Sequence, residues 1–414
     1  MAYLNITAKG DLSKHDLHNL WGVCFVILWT ALSRLFEVDR QGRFITIGVL
    51  FLFLYNLKNK EWKNALLSKP IVIWGVWCVF SSINLLVQGY TPYINPEGDL
   101  AVFVPEMFFF QTILRQLVIL TTVCYLYKKD DRVVLRLLIL SYICISVLSM
   151  LFDSVNDSWG TDVRFGAKIG NSGSLMMIAA MFMICLAWIK EYMPLRKIIM
   201  YSAVALALVV MIQTRKALVA ILIIFVFTYF AKLKRVNIET LFVSLLLLIA
   251  VNYGQDFLAS TDFGARFMSI EESGSEHNQT GIPMLDWLGD RALHVYLGWN
   301  IWMDNPIFGV GLKNAPSLSG LPFVFHQEYI GELAENGIIG FSLLLYFYYN
   351  IMRRLLRVMG NRSDKSVYWI CFGGISAILF ISLTTWTYEF PQYFVIYAIV
   401  IAEIQMAEAR DKVW

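Results

Sequence analysis

Apolar runs of roughly twenty residues, repeated along nearly the whole chain, constrain this sequence more than any other feature. A helix needs about 20 mostly apolar residues to cross the hydrocarbon core of a bilayer. Candidate spans fall near 18–36, 43–57, 70–88, 106–127, 133–152, 171–189, 196–213, 217–232, 237–253, 327–352, 366–385 and 388–406, about twelve in all. The second and eighth are short enough to tilt, to cross a thin region or to re-enter. Of the 414 residues 58% are apolar and 16% charged, against roughly 25% charged in a soluble domain. A soluble fold would have nowhere to put this surface. The expected fold is an all-α polytopic membrane protein: an N-terminal bundle of nine spans over 1–253, a large loop over 254–326, and a C-terminal bundle of three spans over 327–414.

Charge placement orients the bundle. Lys58, Lys60, Lys63 and Lys69 follow the second span; Lys128, Lys129, Arg132 and Arg136 the fourth; Lys190, Arg196 and Lys197 the sixth. Lys232, Lys234 and Arg235 follow the eighth, and Arg353, Arg354, Arg357, Arg362 and Lys365 the tenth. These connections hold nineteen of the 34 Lys and Arg residues. The positive-inside tendency assigns them, and with them both termini, to the cytoplasm. The first twenty residues carry no charged region leading into a cleavable apolar segment, so the first run is expected to be retained. No basic tract resembles a nucleic-acid footprint. All six cysteines lie in apolar runs, which excludes a disulfide framework and a cysteine metal site.

The loop from 254 to 326 is far longer than an ordinary connection. Within it, Leu288, Ala292, Val295, Trp299 and Trp302 recur at helical spacing from Asp286 to Met303, with Asp290, Arg291 and His294 off the stripe. Pro306 ends the pattern. The expectation is an amphipathic helix lying on the outer membrane surface or the bundle, followed by a mobile Gly-rich connection over 309–320.

Few cations remain for the outer face, and each needs a reason. Arg215 and Lys216 form nearly the whole turn in IQTRKAL. They are either an interfacial pair reaching to headgroups or a phosphate clamp, for which the planar arginine fork is suited. Arg291 has a salt-bridge partner to hand in Asp290, or else meets substrate. Arg164, in DVRFGAKIGNSG, orders its loop or binds substrate. Arg115 sits inside an apolar span, where a charge costs roughly 2.5–3.5 kcal/mol, and must face the interior. Glu37 and Asp39 read as solvated charge beside Arg40 and Arg43. His326 opens the tenth span in FHQEYIGELAENGIIG as a helix cap or as a catalytic group. Glu328, Glu332 and Glu335 are unusual in a span, and Gly337 and Gly340 suit close helix packing.

His326-Gln327, nine residues, then Gly337-x-x-Gly340 resembles the signature of the O-antigen ligases of Gram-negative bacteria. LGDRALHVYLGWNIWMDNPIFGVG resembles that family's Arg-bearing loop helix and its Pro-(hydrophobic)-Phe-Gly-x-Gly turn, and IQTRKAL its Thr-Arg turn. Phe341 and Ser342 stand where the family often has Thr. The resemblance implies a GT-C-like membrane glycosyltransferase of the bacterial inner membrane with a periplasmic site. Its donor would be O-antigen on undecaprenyl diphosphate, its acceptor the lipid A–core oligosaccharide. His326 matches the catalytic histidine, Arg215 and Arg291 the diphosphate-binding arginines, and Arg164 and Lys216 would assist them. Transfer would be inverting and would need no metal or other cofactor; no Asp-x-Asp motif is present in the large loop. Besides the membrane lipids themselves, no further partner and no nucleic acid is implied. An O-antigen or capsule polymerase would use the same donor. A polysaccharide transporter or flippase is the alternative from another class, although its usual repeated halves are absent here.

Overall fold

The computed structural model describes residues 12–35, 43–90, 113–156, 171–212, 215–232, 290–319, 327–388 and 390–411. Among the described residues there are fourteen helices and no strand. They are α1 (Lys14–Leu35), α2 (Arg43–Asn56), α3 (Lys60–Leu66), α4 (Lys69–Gln88), α5 (Arg115–Lys129), α6 (Asp131–Asn156) and α7 (Asn171–Ile189). Then follow α8 (Leu195–Ile212), α9 (Arg215–Lys232), α10 (Asp290–Asp304), α11 (Ala315–Ser319), α12 (Glu328–Asn361), α13 (Ser366–Ser382) and α14 (Pro391–Asp411). Each expected span but one meets a helix; the span at 237–253 lies outside the described residues. By length and composition α4, α12 and α14 are able to cross a membrane, and α2, α7 and α13 contain shorter apolar stretches. With the composition, this makes the chain an integral membrane protein that is all-helical among the described residues.

Two helices form the centre. From Leu175 to Ala187 every residue of α7 is buried, and so is every residue of α14 from Tyr393 to Ala402. A helix apolar all round has to be surrounded, and here it is. α14 packs along α5 and α13 along α9. Small residues bring α13 close to its neighbours: Gly373 sits against the Phe227 side chain and Gly374 against the Phe182 ring. That is how helices associate where lipid removes the hydrophobic drive.

One end of the bundle gathers ion pairs. Arg354 on α12 and its C-cap residue Arg362 pair with Glu408 and Asp411 on α14, which explains why α12 runs beyond the apolar limit near 352. Lys129 bridges Asp16 and Glu61, each at 3.1 Å. Lys190, after α7, pairs with Asp131 at 2.7 Å and with Glu403. The Tyr192 and Tyr127 hydroxyls donate to the same two carboxylates, at 2.5 and 2.6 Å. Burial pushes the Lys190 pKa down, but Glu403 and Asp131 outweigh it and hold the ammonium above the ordinary lysine value. A raised lysine pKa contributes stability fully present below the unfolded value and lost only as pH rises through the folded one, so the network holds across the neutral range. Lys190→Met leaves two buried carboxylates facing each other. It is expected to cost about 3–5 kcal/mol, read as a lower melting temperature of the detergent-purified protein. Adding Asp131→Asn and Glu403→Gln should recover most of the loss.

Candidate functional site

The opposite end is built around a break in α12. Gly337 has φ 62° and ψ −166°, so the helix is two pieces meeting at that residue. A break inside the membrane frees backbone groups that lipid cannot satisfy. Uninterrupted, the carbonyls of Ala334 and Glu335 would receive the N–H groups of Ile338 and Ile339. Instead the chain that follows α10 takes both sides of the broken ladder. Val310 N–H donates to Ala334 O at 3.0 Å and Gly311 N–H to Glu335 O at 2.8 Å. Ile338 N–H donates to Pro306 O at 2.9 Å and Ile339 N–H to Ile307 O at 3.4 Å. Gly309, at φ 67°, lets the two backbones touch: a Cβ there would lie 2.6 Å from Ala334 O. So residues 306–311 are no mobile connection. They are the missing rung of a transmembrane helix.

Two asparagines hold this joint, Asn84 on α4 and Asn314 just before α11. Asn84 Nδ2 donates to Phe308 O at 2.7 Å, to Glu335 O at 3.1 Å and to Asn336 Oδ1 at 3.3 Å. Asn314 Nδ2 donates to Gly89 O at 2.7 Å and Val310 O at 2.8 Å. A lone asparagine within the apolar α4 was the available sequence signal, since polar groups inside spans are expensive. Its partners, more than 220 positions away, were not readable.

Spacing of four and three residues sets Glu328, Glu332 and Glu335 on neighbouring turns of α12, and all three are fully buried. The Glu328 carboxylate accepts from Thr387 Oγ1 at 2.5 Å, from the Thr387 backbone N–H and from the Tyr348 hydroxyl. Glu332 accepts from Trp77 Nε1 at 2.7 Å and Asn336 Nδ2 at 3.2 Å. Neither has a cationic partner among the described residues. These hydrogen bonds fasten the start of α12 to α4 and to the turn between α13 and α14. Gln116 joins the same turn, donating to Tyr388 O at 3.0 Å, beside the buried Arg115 at the start of α5.

Of the residues singled out in the sequence, His326 and Arg164 lie outside the described residues, as do Glu37 and Asp39. His326 immediately precedes Gln327, the extended N-cap residue of α12. Arg215 opens α9 and half-buried Lys216 follows it. The far end of α9 meets the start of α13 through Ser366 Oγ and Ala231 O, 2.9 Å apart. The two helices are therefore antiparallel, and Arg215 begins its helix at the end where α13 finishes and α12 starts. Arg291 is the second residue of α10. The backbone thus brings the starts of α9 and α12 to one end of the bundle.

The loop helix exists, at Asp290–Asp304, but its packed face differs from the expected stripe. His294 and Gly298 are buried and Leu297 and Ile301 partly so, whereas Trp299 is 46% exposed. Docking of the 306–311 turn dictates which side of α10 meets α12, and Gly298 presents no side chain on that side. Of the expected stripe, Trp299 is exposed while Val295 and Trp302 are half-buried.

No curated protein matches the chain. A family match does exist, and it begins inside α8 and ends within α12 just past the break. It encloses Arg215, Arg291, His326, the docked turn, Gly337 and Gly340. Residues 200–345 of this chain match the family described as O-antigen ligase, the family that its His326–Gly340 segment resembles.

Proposed function

We propose that this protein transfers O-antigen from undecaprenyl diphosphate to the lipid A–core oligosaccharide, at the periplasmic face of the bacterial inner membrane, with both termini cytoplasmic. One observation carries the reading: the O-antigen ligase match encloses the start of α9, the start of α12 and the turn that completes α12. In the proposed reaction an acceptor hydroxyl oxygen attacks the anomeric carbon from the face opposite the diphosphate, inverting it. The bond from that carbon to the phosphate oxygen breaks, and undecaprenyl diphosphate leaves with the electron pair. Arg215 and Arg291, assisted by Arg164 and Lys216, neutralise the leaving charge without a metal. His326 takes the hydroxyl proton.

A transporter reading would draw on the broken helix, because discontinuous helices often bind solutes through their freed backbone groups. Here the groups freed at Gly337 are taken up by residues 306–311, which favours a fixed scaffold. Deletion followed by gel separation of lipopolysaccharide tests the reading. A ligase deletion leaves bare core and accumulated lipid-linked O-antigen. Core bearing a single repeat unit would instead identify a polymerase, and lipid-linked single units held at the cytoplasmic face a flippase.

A further inference from the structure

The end of the bundle away from the break in α12 holds a cavity of about 810 Å³, a size typical of small-molecule sites, which run from about 300 to 1,000 Å³. It lies where four helices finish. Ile189, Lys232, Asn361 and Asp411 are the last residues of α7, α9, α12 and α14, and all four line it. The lining passes from buried to exposed: Glu403 is 2% exposed and Tyr368 4%, whereas Asn361, Asp364 and Arg410 are open to solvent. Val367 and Met406 add half-buried apolar surface to the wall.

The charges around the cavity are not all spent on one another. Lys190 is paired with Asp131 and Glu403, and Arg362 with Asp411. Lys232 and Arg410, both exposed, enter no ion pair among the described residues. The Lys232 ammonium rests 4.9 Å from the centre of the Trp188 ring. Arg410 uses Nε, one of its five donors, on Met406 O at 3.2 Å. Asp364 likewise has no cationic partner among the described residues; its Oδ1 accepts the Ser366 N–H at 3.0 Å. The C-terminal ends of the four helices add partial negative charge. The cavity therefore offers two cations to an anionic group, and a carboxylate with four helix ends to a cationic one.

We propose that this cavity binds a zwitterionic phosphate ester, one that carries a primary ammonium beside its phosphate, as an aminophospholipid head group does. Lys232 and Arg410 hold the phosphate, and Asp364 with the helix ends holds the ammonium. The site is independent of the transfer reaction proposed above and lies at the other end of the bundle.

The test measures binding of short-chain phosphatidylethanolamine to the full-length protein in detergent, beside the melting temperature. Phosphatidylglycerol, which lacks the ammonium, and soluble glycerophosphoethanolamine, which lacks the acyl chains, serve as comparison probes. Lys232→Gln and Arg410→Gln are each expected to weaken phosphatidylethanolamine binding about tenfold, the scale of one hydrogen bond to a charged group. Neither should lower the melting temperature without lipid, because both side chains are exposed. Asp364→Asn, which keeps an acceptor for the Ser366 N–H, should reduce the preference for phosphatidylethanolamine over phosphatidylglycerol. Tighter binding of the acylated probe than of glycerophosphoethanolamine assigns the site to a membrane lipid, and equal binding assigns it to a soluble ester. Wild-type affinity in both glutamine variants overturns the proposal, as does a wild-type protein that binds phosphatidylglycerol as tightly as phosphatidylethanolamine.

Discussion

Replacing His326 with glutamine is expected to lower glycan transfer by about 10²–10⁴-fold, the usual worth of general-base assistance, while leaving the bundle folded. Glutamine keeps much of the size and some hydrogen bonding but cannot take the proton. His326 stands one residue before the N-cap of α12. The positive end of a helix disfavours a second positive charge, and so favours the neutral imidazole that can act as a base. Glu328, two residues on, pushes the other way, because a carboxylate favours a charged imidazolium. The measurement is single-turnover transfer by purified protein, with donor binding followed in the same sample. Wild-type turnover in His326→Gln would reduce the residue to a helix cap. Loss of donor binding with turnover retained would move it to the diphosphate site.

Gly337→Ala is expected to be severely damaging for a single added methyl group. At φ 62° and ψ −166° the backbone occupies a region that essentially only glycine tolerates, worth roughly 1–3 kcal/mol for any other residue. The added Cβ would also run into the Ile307 carbonyl and lie 2.6 Å from Gly309 N. Both obstacles are backbone, so no rotamer change relieves them. Either the turn leaves its seat, or α12 straightens and strips the turn of its partners. The variant should melt several degrees lower and transfer at background level. Gly75→Ala on α4, where a Cβ meets nothing within 4 Å, should be neutral or slightly stabilising. Equal melting temperatures for the two would mean that the break is not under strain.

The helices were legible because bilayer thickness sets the length of an apolar run, and nothing else in the chain has that length. The run expected at 171–189 is the helix Asn171–Ile189, and the loop pattern ending at Met303 is the helix Asp290–Asp304. What could not be read was long-range pairing. AENGIIG looks like a close-packing motif on its own, and PIFGVG looks like a loose connection. Only their mutual exchange of hydrogen bonds makes one a helix break and the other its repair. The same holds for Asn84, a single asparagine whose partners lie in another third of the chain, and for the burial of His294 and Gly298 on α10, which lie off the expected stripe. The chemistry proposed for Arg164, Arg215, Lys216, Arg291 and His326 rests on the resemblance of their motifs, and Arg164 and His326 lie outside the described residues.

The splice in α12 has a consequence for biogenesis. A helix inserted from the ribosome normally carries its own hydrogen bonds into lipid, and needs no later segment to enter. The first piece of α12 is different, because its carbonyls at Ala334 and Glu335 are satisfied by a turn and by Asn84, both synthesised before it. Its carboxylate at Glu328 is satisfied partly by Thr387, synthesised after it. That piece therefore cannot settle in lipid as an independent unit. It has to wait at the membrane surface, or shelter against a partner, until α13 and α14 emerge. The end of the molecule that bears His326 is in this sense the last part to mature, and a chain interrupted before Thr387 would hold a helix start that neither water nor lipid accommodates.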